Sequence, residues 1–504
     1  MHVLMTGNVL PCFVFWCKSV RTGRITAGVE AVYVGQTRRG AFPHKKRCSK
    51  KHISALMLWI SAAPQAKKEV ISMLNIKQII DKKRMGKPNT AQEIDFFVEG
   101  IVSGAVTDAQ IAAYCMAVCI HGLAEEENIQ LTLSMAKFGD TYNLSAVKGV
   151  TVDKHSTGGV GDTTTLVIAP VVAANGLVCA KMSGRGLGFT GGTIDKLSAI
   201  PGMRTDLTME QFLTQLQTIG IALCAQTGEI APADGRIYAV RDETATVESL
   251  PLIASSIMSK KLAVNSDAIV LDVKFGNGAL LKTQEEAHAL AQLMVRIGGG
   301  AGKRMCALIT DMSAPLGRAI GNAAEVAEAV EILTGMHTDT ELYRVCRALA
   351  AEMLYVGGAA GSVADGEVLF EQTVASGAAY NRFVQWIEAQ GGDAACLPTV
   401  WQRGNKAVVT AQAQGYVTAI DAMRIGNASL LIGCGRMRKQ DAIDVHAGIL
   451  LKAQVGDFVR RGTLLAEIYA KQPEMIAQEI LQAFTIGEQP VGARTILCGR
   501  VTNA

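Results

Sequence analysis

The sequence predicts an α/β protein in which a small all-helical domain precedes a large mixed α/β domain and a C-terminal β/α, barrel-hairpin-like subdomain. The chain has 504 residues, of which 51 are glycines, 49% are apolar and 19% are charged, values typical of a globular protein of several domains. Beyond Val150, short apolar segments alternate with helical segments, which is the pattern of a mostly parallel sheet. Two glycine-rich loops, about thirty residues apart, each follow a predicted strand and precede a predicted helix.

A helical pattern occupies the first part of the body. Apolar residues recur at spacings of three and four, as between Ile94 and Ile101, and Thr107 is a candidate N-cap. We therefore expect a helical domain over residues 73–140. We expect about 236–266 to join it, because a helix in that segment is expected to pack with the N-terminal helices.

The α/β domain is expected over residues 150–230 and 267–400. Its strand candidates are short, mostly apolar segments separated by helical runs, which is the pattern of a mostly parallel sheet. They are Leu177–Met182, Ile221–Cys224, Ala268–Val273 and Met305–Ile309. The helices expected between them include Gln284–Ile297 and Ala323–Leu333.

Residues 401–504 differ in character from the domain before them. Ala407–Ala411 and Gly415–Ile420 are strand-like, and Gly456–Ile468 resembles a lipoyl- or biotinyl-type barrel hairpin. A swinging-arm domain needs an exposed lysine at the tip of its hairpin, and Gly415–Ile420 offers none. We therefore expect a structural β/α subdomain.

Residues 1–72 differ from the rest in charge. They hold twelve Lys or Arg and two acidic residues, whereas the remaining 432 residues hold 37 basic and 43 acidic side chains. The body is therefore mildly acidic, which gives no reason to expect a nucleic-acid partner. We expect residues 1–72 to be a poorly structured basic extension, with an organellar transit segment as the alternative and Met73 as a candidate first residue.

Hydropathy and cysteine usage both favour a cytoplasmic protein. No apolar run approaches the roughly eighteen residues that a membrane span needs, so no membrane partner is expected. The twelve cysteines are scattered without paired spacing, which favours buried thiols in a reducing compartment. Cys115 and Cys119 lie one helical turn apart, and a zinc site there is the weaker alternative.

The two glycine-rich loops, Asp153–Asp162 and Ser183–Asp195, predict an anion site. Glycines let backbone N–H groups turn inward, and a helix N-terminus favours negative charge. Lys154 adds positive charge. Any one hydroxyl here is equally well explained as a helix cap, but several in two loops favour a bound phosphate. These hydroxyls belong to Ser156, Thr165, Ser183 and Thr193.

Nucleotide cofactors fit the sequence less well than free phosphate. Gly186, Gly188 and Gly191 form a Gly-x-Gly-x-x-Gly pattern with Asp206 about twenty residues later, formally a dinucleotide fingerprint. A dinucleotide fold carries this motif at its first strand–helix turn, whereas here it lies in the second glycine loop. No Gly-x-x-x-x-Gly-Lys-Ser/Thr motif occurs in the sequence, which argues against a nucleoside triphosphate.

The motifs of both loops resemble the signatures of thymidine and pyrimidine-nucleoside phosphorylases, most of all the broad-specificity pyrimidine-nucleoside phosphorylases. The likeness covers roughly residues 73–504. It is carried by Lys154–Asp162, Ser183–Leu197, Ala231–Asp234, Tyr238–Asp242, Ser255–Lys261 and Leu271–Lys274. The resemblance implies reversible phosphorolysis of uridine, thymidine or deoxyuridine to the free base and (deoxy)ribose 1-phosphate, with inorganic phosphate as co-substrate.

The resemblance also implies the site residues. Negative charge develops on the departing pyrimidine, and cations aimed at it lower the barrier. Ser256 and Lys260 would lie one turn apart on a helix beginning near Pro251. His155, a type of residue with a reference pKa near 6.5, matches the proton donor or hydrogen-bond partner of the base. The implied catalytic residues are His155, Arg241 and Lys260, the implied base-binding residues are Arg241, Ser256 and Lys260, and the implied phosphate-binding residues are Lys154, His155, Ser156, Thr165, Lys181, Met182, Ser183 and Thr193.

A potassium ion is a further implied component. Backbone carbonyls and one carboxylate can satisfy a monovalent cation at little net charge. The matching positions are Gly161, Thr163, Leu316, Ala319 and Glu328.

Two broader properties follow from the same resemblance. Family members are homodimers, and the helix Ile111–Ile120 is the expected contact face. Lys181 is the residue found in enzymes that accept both uridine and thymidine, which implies broad sugar specificity.

Several positions depart from the family pattern, among them Phe275–Asn277 and Ala279–Leu280, which alter a turn that usually resembles Gly-Ala-Phe. Phe189 stands in place of a His, Ser198 in place of a Glu and Gly235 in place of a Lys. These changes leave two alternatives open, a non-catalytic nucleoside- or phosphate-binding paralogue and a phosphoribosyltransferase of the same fold group. The latter uses diphosphate and Mg²⁺, and the absence of an acidic pair in either glycine loop speaks against it.

Overall fold

A computed structural model of the chain divides into two units, residues 1–74 and 75–504. In the first unit, β1 (Cys12–Cys17) and β2 (Ala27–Val32) pair antiparallel, a pairing that the sequence analysis did not predict. The rest of the basic extension, with Met73, lies outside the described residues. The structure describes residues 12–17, 27–32, 74–186, 188, 191–436, 438 and 441–503.

The second unit begins with a bundle of helices. Thr90 and Thr107 each accept a hydrogen bond from the backbone three residues later, in complete capping boxes, so the predicted cap at Thr107 is confirmed. The helices bury Ile94, Phe97 and Ile111 in one core. The helices are α1 (Ile76–Arg84), α2 (Ala91–Val102), α3 (Asp108–His121) and α4 (Glu125–Lys137).

Two helices from later in the sequence pack on this bundle. They are α8 (Pro232–Glu243) and α9 (Leu250–Val264). Ala233, Ile237 and Leu252 share the core of the N-terminal helices, while the other side of α9 packs against the central sheet. The segment therefore contacts both the bundle and the sheet.

The central sheet has the strand order β15-β7-β6-β3-β4-β5 among the described residues. All neighbours run parallel except β15, which pairs antiparallel with β7. The predicted strands and the mostly parallel sheet are confirmed. The strands are β3 (Thr151–Ser156), β4 (Val178–Ser183), β5 (Ile221–Ala225), β6 (Ala268–Phe275), β7 (Arg304–Asp311) and β15 (Leu497–Thr502).

Helices cover both faces of this sheet. Along β6, Val270 faces one apolar core and Ile269 and Leu271 face the other, as the two-residue period of a strand requires. The other helices between β3 and residue 400 are α5 (Thr164–Ala174), α6 (Thr193–Leu197), α7 (Met209–Ile219), α10 (Gln284–Gly300), α11 (Asn322–Leu333), α12 (Glu341–Gly357), α13 (Val363–Ala375) and α14 (Ala378–Ala389).

The C-terminal residues form two small sheets with helices beside them. One has the order β8-β11-β13-β9 and the other the order β12-β10-β14. The elements are β8 (Ala319–Ile320), β9 (Lys406–Thr410), β10 (Gly415–Ile420), α15 (Ala422–Leu431), β11 (Gly448–Leu451), β12 (Phe458–Val459), β13 (Leu464–Tyr469), α16 (Ala477–Ala483) and β14 (Phe484–Gly487).

The hairpin expected within Gly456–Ile468 is wrong in its pairing. Strands do form there, but β12 pairs with β10, whereas β13 pairs with β9 and β11. The turn at Arg460–Thr463 therefore carries the chain from one sheet to the other. Long-range pairing, which the local pattern does not encode, decided the partners.

None of the helices in the described part of the chain combines the length and apolar character that a bilayer crossing requires.

Candidate active site

Both glycine loops open into one cavity of about 480 Å³. The loops follow β3 and β4, so they meet at the carboxyl edge of the parallel sheet, where α/β proteins bind ligands. Across the cavity stand Tyr238 of α8 and Lys260 of α9. The implied site residues that line the cavity are His155, Ser156, Thr165, Lys181, Met182, Ser183, Thr193 and Lys260.

The first loop folds back on its own strand. Gly158 and Gly161 have φ values of 92° and 67°, a region that favours glycine. The Ser156 hydroxyl donates a hydrogen bond to Asp162 at 2.5 Å and accepts one from the Gly158 N–H at 3.2 Å. Although burial favours a neutral carboxyl, Lys154 and other lysines hold the pKa of Asp162 well below its ordinary range.

Lys154 lies beneath this loop rather than on the cavity wall. Its Nζ donates to the Thr164 hydroxyl at 2.5 Å and lies 3.4 Å from Asp272 and 4.0 Å from Asp162. Lys274 joins the same buried network, with its Nζ 2.9 Å from Asp272. The structure thus brings Lys154 to the loop as an internal counter-charge, and its direct contact with phosphate stays a prediction.

The second loop is held to the first by a buried lysine. Lys196 donates to the backbone carbonyl of Asp162 at 2.5 Å and forms an ion pair with Glu325 at 2.7 Å. Glu325 also accepts from the Thr163 hydroxyl at 3.0 Å. The two loops are therefore cross-linked through α11, a connection that sequence spacing did not reveal.

A second buried group of charges lies between β3, β4 and α9. Lys261 donates to Asp153 at 2.9 Å, and Lys181 lies 3.5 Å from the same carboxylate while donating to the carbonyl of Lys154 at 2.6 Å. Burial is the main cause that lowers the pKa of Lys181 to about 8. An anion bound beside Lys181 would raise this pKa again and keep the amine fully protonated.

His155 faces the cavity among four lysines. Burial, followed by Lys261 and Lys181, lowers the pKa of His155 well below its ordinary value. The reference pKa near 6.5 therefore does not describe this imidazole, which is neutral at neutral pH in the structure. A neutral imidazole still carries one N–H that can donate a hydrogen bond.

The structure brings Ser256 and Lys260 together on α9 as predicted from their spacing. The Lys260 Nζ lies 3.2 Å from the Ser256 hydroxyl. Lys260 lines the cavity but Ser256 is buried beside it and is not part of the cavity wall that the described residues form, so contact of Ser256 with the base stays a prediction. Both side chains also bond to Asp234 of α8, Ser256 at 3.0 Å and Lys260 through a short ion pair. Asp234 belongs to a motif that carries the family resemblance, but no role was predicted for it.

Arg241 is buried at the junction of α8 and α9. Its guanidinium donates to the carbonyls of Thr246 at 3.1 Å, Val247 at 2.5 Å and Leu252 at 3.3 Å. It thereby holds the loop between the two helices, and among the described residues it is not part of the cavity wall. Its contact with the base stays a prediction.

The five positions implied for potassium come from three parts of the chain that meet near Gly317. The Glu328 carboxylate accepts from the backbone N–H of Arg318 at 2.7 Å and of Ala319 at 3.2 Å. A Cβ on Gly317 would collide with this carboxylate and with the Gly161 carbonyl, so a glycine keeps that space open. Burial raises the pKa of Glu328 to about 7.

The departures from the family pattern have different settings. The Ser198 hydroxyl donates to the carbonyl of Asp195 at 2.6 Å, within the end of α6. A Cβ on Gly235 would meet open space, so the absence of a side chain at this position leaves no gap in the packing. Phe189 lies outside the described residues.

Comparison with known families identifies the class that this fold and cavity define. Residues 77–139 match the glycosyl transferase family helical bundle domain, and residues 148–380 match its a/b domain. Residues 416–487 match the pyrimidine nucleoside phosphorylase C-terminal domain.

The relatives narrow the class to one family. The chain is 43% identical over 434 residues to the pyrimidine-nucleoside phosphorylase of Geobacillus stearothermophilus, covering 85% of this chain and 100% of that protein. It is 45% identical to the pyrimidine-nucleoside phosphorylase of Bacillus subtilis, covering 79% and 93%. The chain belongs to the pyrimidine-nucleoside phosphorylase family, as its motifs predicted.

A solved structure supports the fold alone. Anthranilate phosphoribosyltransferase from Thermus thermophilus matches with a TM-score of 0.51 at 19% sequence identity, covering 62% of this chain and 99% of that one.

Proposed function

We propose that this protein catalyses the reversible phosphorolysis of pyrimidine nucleosides, including uridine, thymidine and deoxyuridine, to the free base and (deoxy)ribose 1-phosphate. The observation that carries the proposal is that two glycine loops suited to a phosphate and the cation of Lys260 line the same cavity. The relatives at 43–45% identity, all named pyrimidine-nucleoside phosphorylases, support the same reaction.

The first loop and the second would hold phosphate from two sides. Backbone N–H groups and the hydroxyls of Ser156, Thr165, Ser183 and Thr193 are the donors. Lys181 has a pKa lowered to about 8, and a bound dianion would raise it, because an opposite charge favours the protonated amine. At neutral pH this amine is already mostly protonated, and a bound dianion would keep it so at higher pH as well.

The reaction exchanges one bond at the anomeric carbon for another. A phosphate oxygen forms a bond to that carbon while the bond from carbon to the base nitrogen breaks and its electron pair stays on the base. Lys260 lies where a cation can stabilise the developing negative charge. The His155 N–H can donate a hydrogen bond to the base carbonyl, and the base anion takes a proton from solvent to give the free pyrimidine.

Closure of the cavity would bring the two substrates together. The phosphate donors lie on the sheet edge, whereas Tyr238 lies on α8 and Lys260 on α9. Phosphate and base would therefore be held by different elements. Approach of these walls would align the attacking oxygen with the anomeric carbon and exclude water.

The residues near Gly317 fit a potassium ion. The buried Glu328 carboxylate and the Gly161 carbonyl share a space that a glycine keeps open, and Thr163, Leu316 and Ala319 complete the implied set. Such an ion would offset the charge of Glu328 and hold the first loop against β8.

Specificity and assembly are part of the same proposal. Lys181 on the cavity wall supports activity on both ribosides and deoxyribosides, because an amine can donate to a 2′-hydroxyl. The proposed enzyme is a homodimer whose subunits meet through α3, and its proposed location is the cytoplasm.

Release of uracil from uridine and of thymine from thymidine, with and without phosphate, tests the reaction. We expect phosphate-dependent release of both bases. Lys260→Ala should abolish release while phosphate binding stays nearly intact, because Lys260 is not among the phosphate donors. Nucleoside binding without release would favour the non-catalytic alternative, and activity that needs diphosphate and Mg²⁺ would favour the phosphoribosyltransferase.

A further inference from the structure

The Asp234 carboxylate controls two side chains expected to meet the pyrimidine. It is almost completely buried, with 2% of its side chain exposed, whereas 25% of the Lys260 side chain is exposed toward the cavity. One oxygen, Oδ2, accepts both from the Ser256 hydroxyl at 3.0 Å and from the Lys260 Nζ. Asp234 therefore lies behind the pair, on the side away from the cavity.

This arrangement fixes the direction of the Ser256 hydrogen bond. A serine hydroxyl has one hydrogen to donate and two lone pairs to accept with. The ionised Asp234 carboxylate, which pairs with Lys260, can only accept hydrogen bonds. The Ser256 hydroxyl must therefore donate its hydrogen to Asp234. Toward a ligand, Ser256 can then act only as an acceptor.

Lys260, unlike Ser256, can act only as a donor toward a ligand, and one of its three hydrogen bonds can be exchanged for a bond to that ligand. Its three N–H groups match three acceptors, Asp234, the Ser256 carbonyl at 3.1 Å and the Ser256 hydroxyl at 3.2 Å. If a ligand carbonyl replaces the hydroxyl as acceptor, Lys260 keeps its other two bonds and Ser256 regains a lone pair. Lys260 lines the cavity as a donor, and Ser256, which is 8% exposed, would become an acceptor beside it once a ligand takes its place at Lys260.

We propose that Asp234 is the residue that sets this donor–acceptor order and thereby selects uracil and thymine over cytosine. The inference rests on the proposed contact of Ser256 and Lys260 with the base. Uracil and thymine carry an N–H next to a carbonyl, which matches an acceptor beside a donor. Cytosine carries a bare ring nitrogen next to its carbonyl, and that lone pair would face the lone pair of Ser256.

Asp234→Asn removes the fixed order, because an amide can accept from or donate to Ser256. Asp242→Asn is the matched control, since Asp242 is an exposed carboxylate on the same helix. Ser256→Ala is the second variant and keeps the test valid if Asp234→Asn folds poorly. Affinities for the two bases are measured by calorimetry on each protein with uridine and cytidine in the absence of phosphate, because N1 then carries the sugar and only the N3 edge can meet Ser256 and Lys260. The value of kcat/KM for uridine is measured beside them.

We expect the preference for uracil over cytosine to fall at least about tenfold in Asp234→Asn and in Ser256→Ala, since a buried mismatch of polar groups costs that much or more. The double variant should show no further loss, because both changes remove one interaction. Asp242→Asn should keep the wild-type preference.

Equal weakening for both bases in Asp234→Asn, or an unchanged preference in Ser256→Ala, would overturn the proposal, as would a wild-type protein that binds neither nucleoside. Phosphate-dependent release from uridine with an unchanged preference would leave phosphorolysis standing and remove only the role of Asp234. Loss of the preference in both variants, with a wild type that binds uridine but releases no base, would leave the role of Asp234 standing and remove phosphorolysis.

Discussion

Arg436 of the C-terminal subdomain donates a hydrogen bond to Asp195 over 2.7 Å, which ties that subdomain to the second glycine loop. The other oxygen of Asp195 accepts from the Gly186 N–H at 2.7 Å, and the Gly188 N–H donates to the Arg436 carbonyl at 3.2 Å. The shape of a loop expected to hold phosphate therefore depends on residues about 240 positions later in the chain.

Replacing Arg436 by Gln should weaken phosphate binding selectively. The shorter neutral side chain loses its bond to Asp195, so the loop has to be ordered by the phosphate itself. We expect KM for phosphate to rise about tenfold, with KM for uridine nearly unchanged, in initial-rate kinetics at saturating co-substrate. Arg438→Gln is the control, since Arg438 is exposed two residues away. A rise in both KM values would point to general loss of structure instead.

The stability of the protein should depend on pH through Lys181. Its pKa is lowered to about 8, mainly by burial, so between about pH 8 and pH 10 the unfolded chain binds more protons than the folded protein. The contribution of this site to the free energy of unfolding therefore rises with pH through that window, by up to about 2 kcal/mol.

Urea unfolding of the wild type and of Lys181→Met at about pH 7.5 and pH 9.5 measures this contribution. We expect the free energy of unfolding of the variant minus that of the wild type to be smaller at about pH 9.5 than at about pH 7.5, because only the wild type gains stability from Lys181 as pH rises. Lys148→Met, at an exposed lysine, should follow the wild type at both pH values. A constant difference between Lys181→Met and wild type would show that Lys181 does not change its proton affinity on folding.

Local patterns were enough for the elements that frame the cavity. Ala268–Phe275 and Arg304–Asp311 are mostly apolar segments of strand length, and each is buried along almost its whole length, as strands inside a parallel sheet must be. Glycine loops that follow such strands meet at one sheet edge by topology alone. The convergence of Ser156 and Ser183 on one cavity could therefore be predicted.

The charges behind the loops could not be predicted in this way. Lys154 was expected on phosphate because it stands in a loop motif, but Asp272, more than a hundred residues later, lies 3.4 Å from it. Asp234 and Lys260 likewise meet only because α8 packs beside α9. Spacing along the sequence encodes neither contact, since both depend on how whole elements are placed.

Potassium should stabilise the protein in a pH-dependent way through Glu328. Burial raises the pKa of Glu328 to about 7, so between about pH 4.5 and pH 7 the folded protein binds more protons than the unfolded chain, and stability falls as pH rises. The full cost of the buried charge, on the order of 3 kcal/mol, is present above pH 7. A cation beside the carboxylate would offset that cost.

Melting temperatures in potassium chloride and in tetramethylammonium chloride of equal ionic strength test this. We expect potassium to raise Tm by several degrees at about pH 8 and by much less at about pH 5.5. Glu328→Gln should remove the response to potassium, whereas the exposed Glu285→Gln should keep it. The same potassium response in Glu328→Gln would place the ion elsewhere.

The outer face of α3 should form the dimer contact. On this helix Ile120 is 68% exposed and Met116 is 41% exposed, and their spacing of four residues puts them on one stripe. A charged residue in such an apolar contact would be buried without a partner in the dimer but would be solvated in the monomer. Ile120→Asp should therefore shift the protein from a dimer to a monomer in sedimentation velocity at micromolar concentration.

Val368→Asp is the matched control for the dimer contact, since Val368 is likewise an exposed apolar residue, with 51% of its surface exposed, and lies on a different helix, α13. A wild type that sediments as a monomer, or equal dissociation by both variants, would exclude α3 as the specific contact.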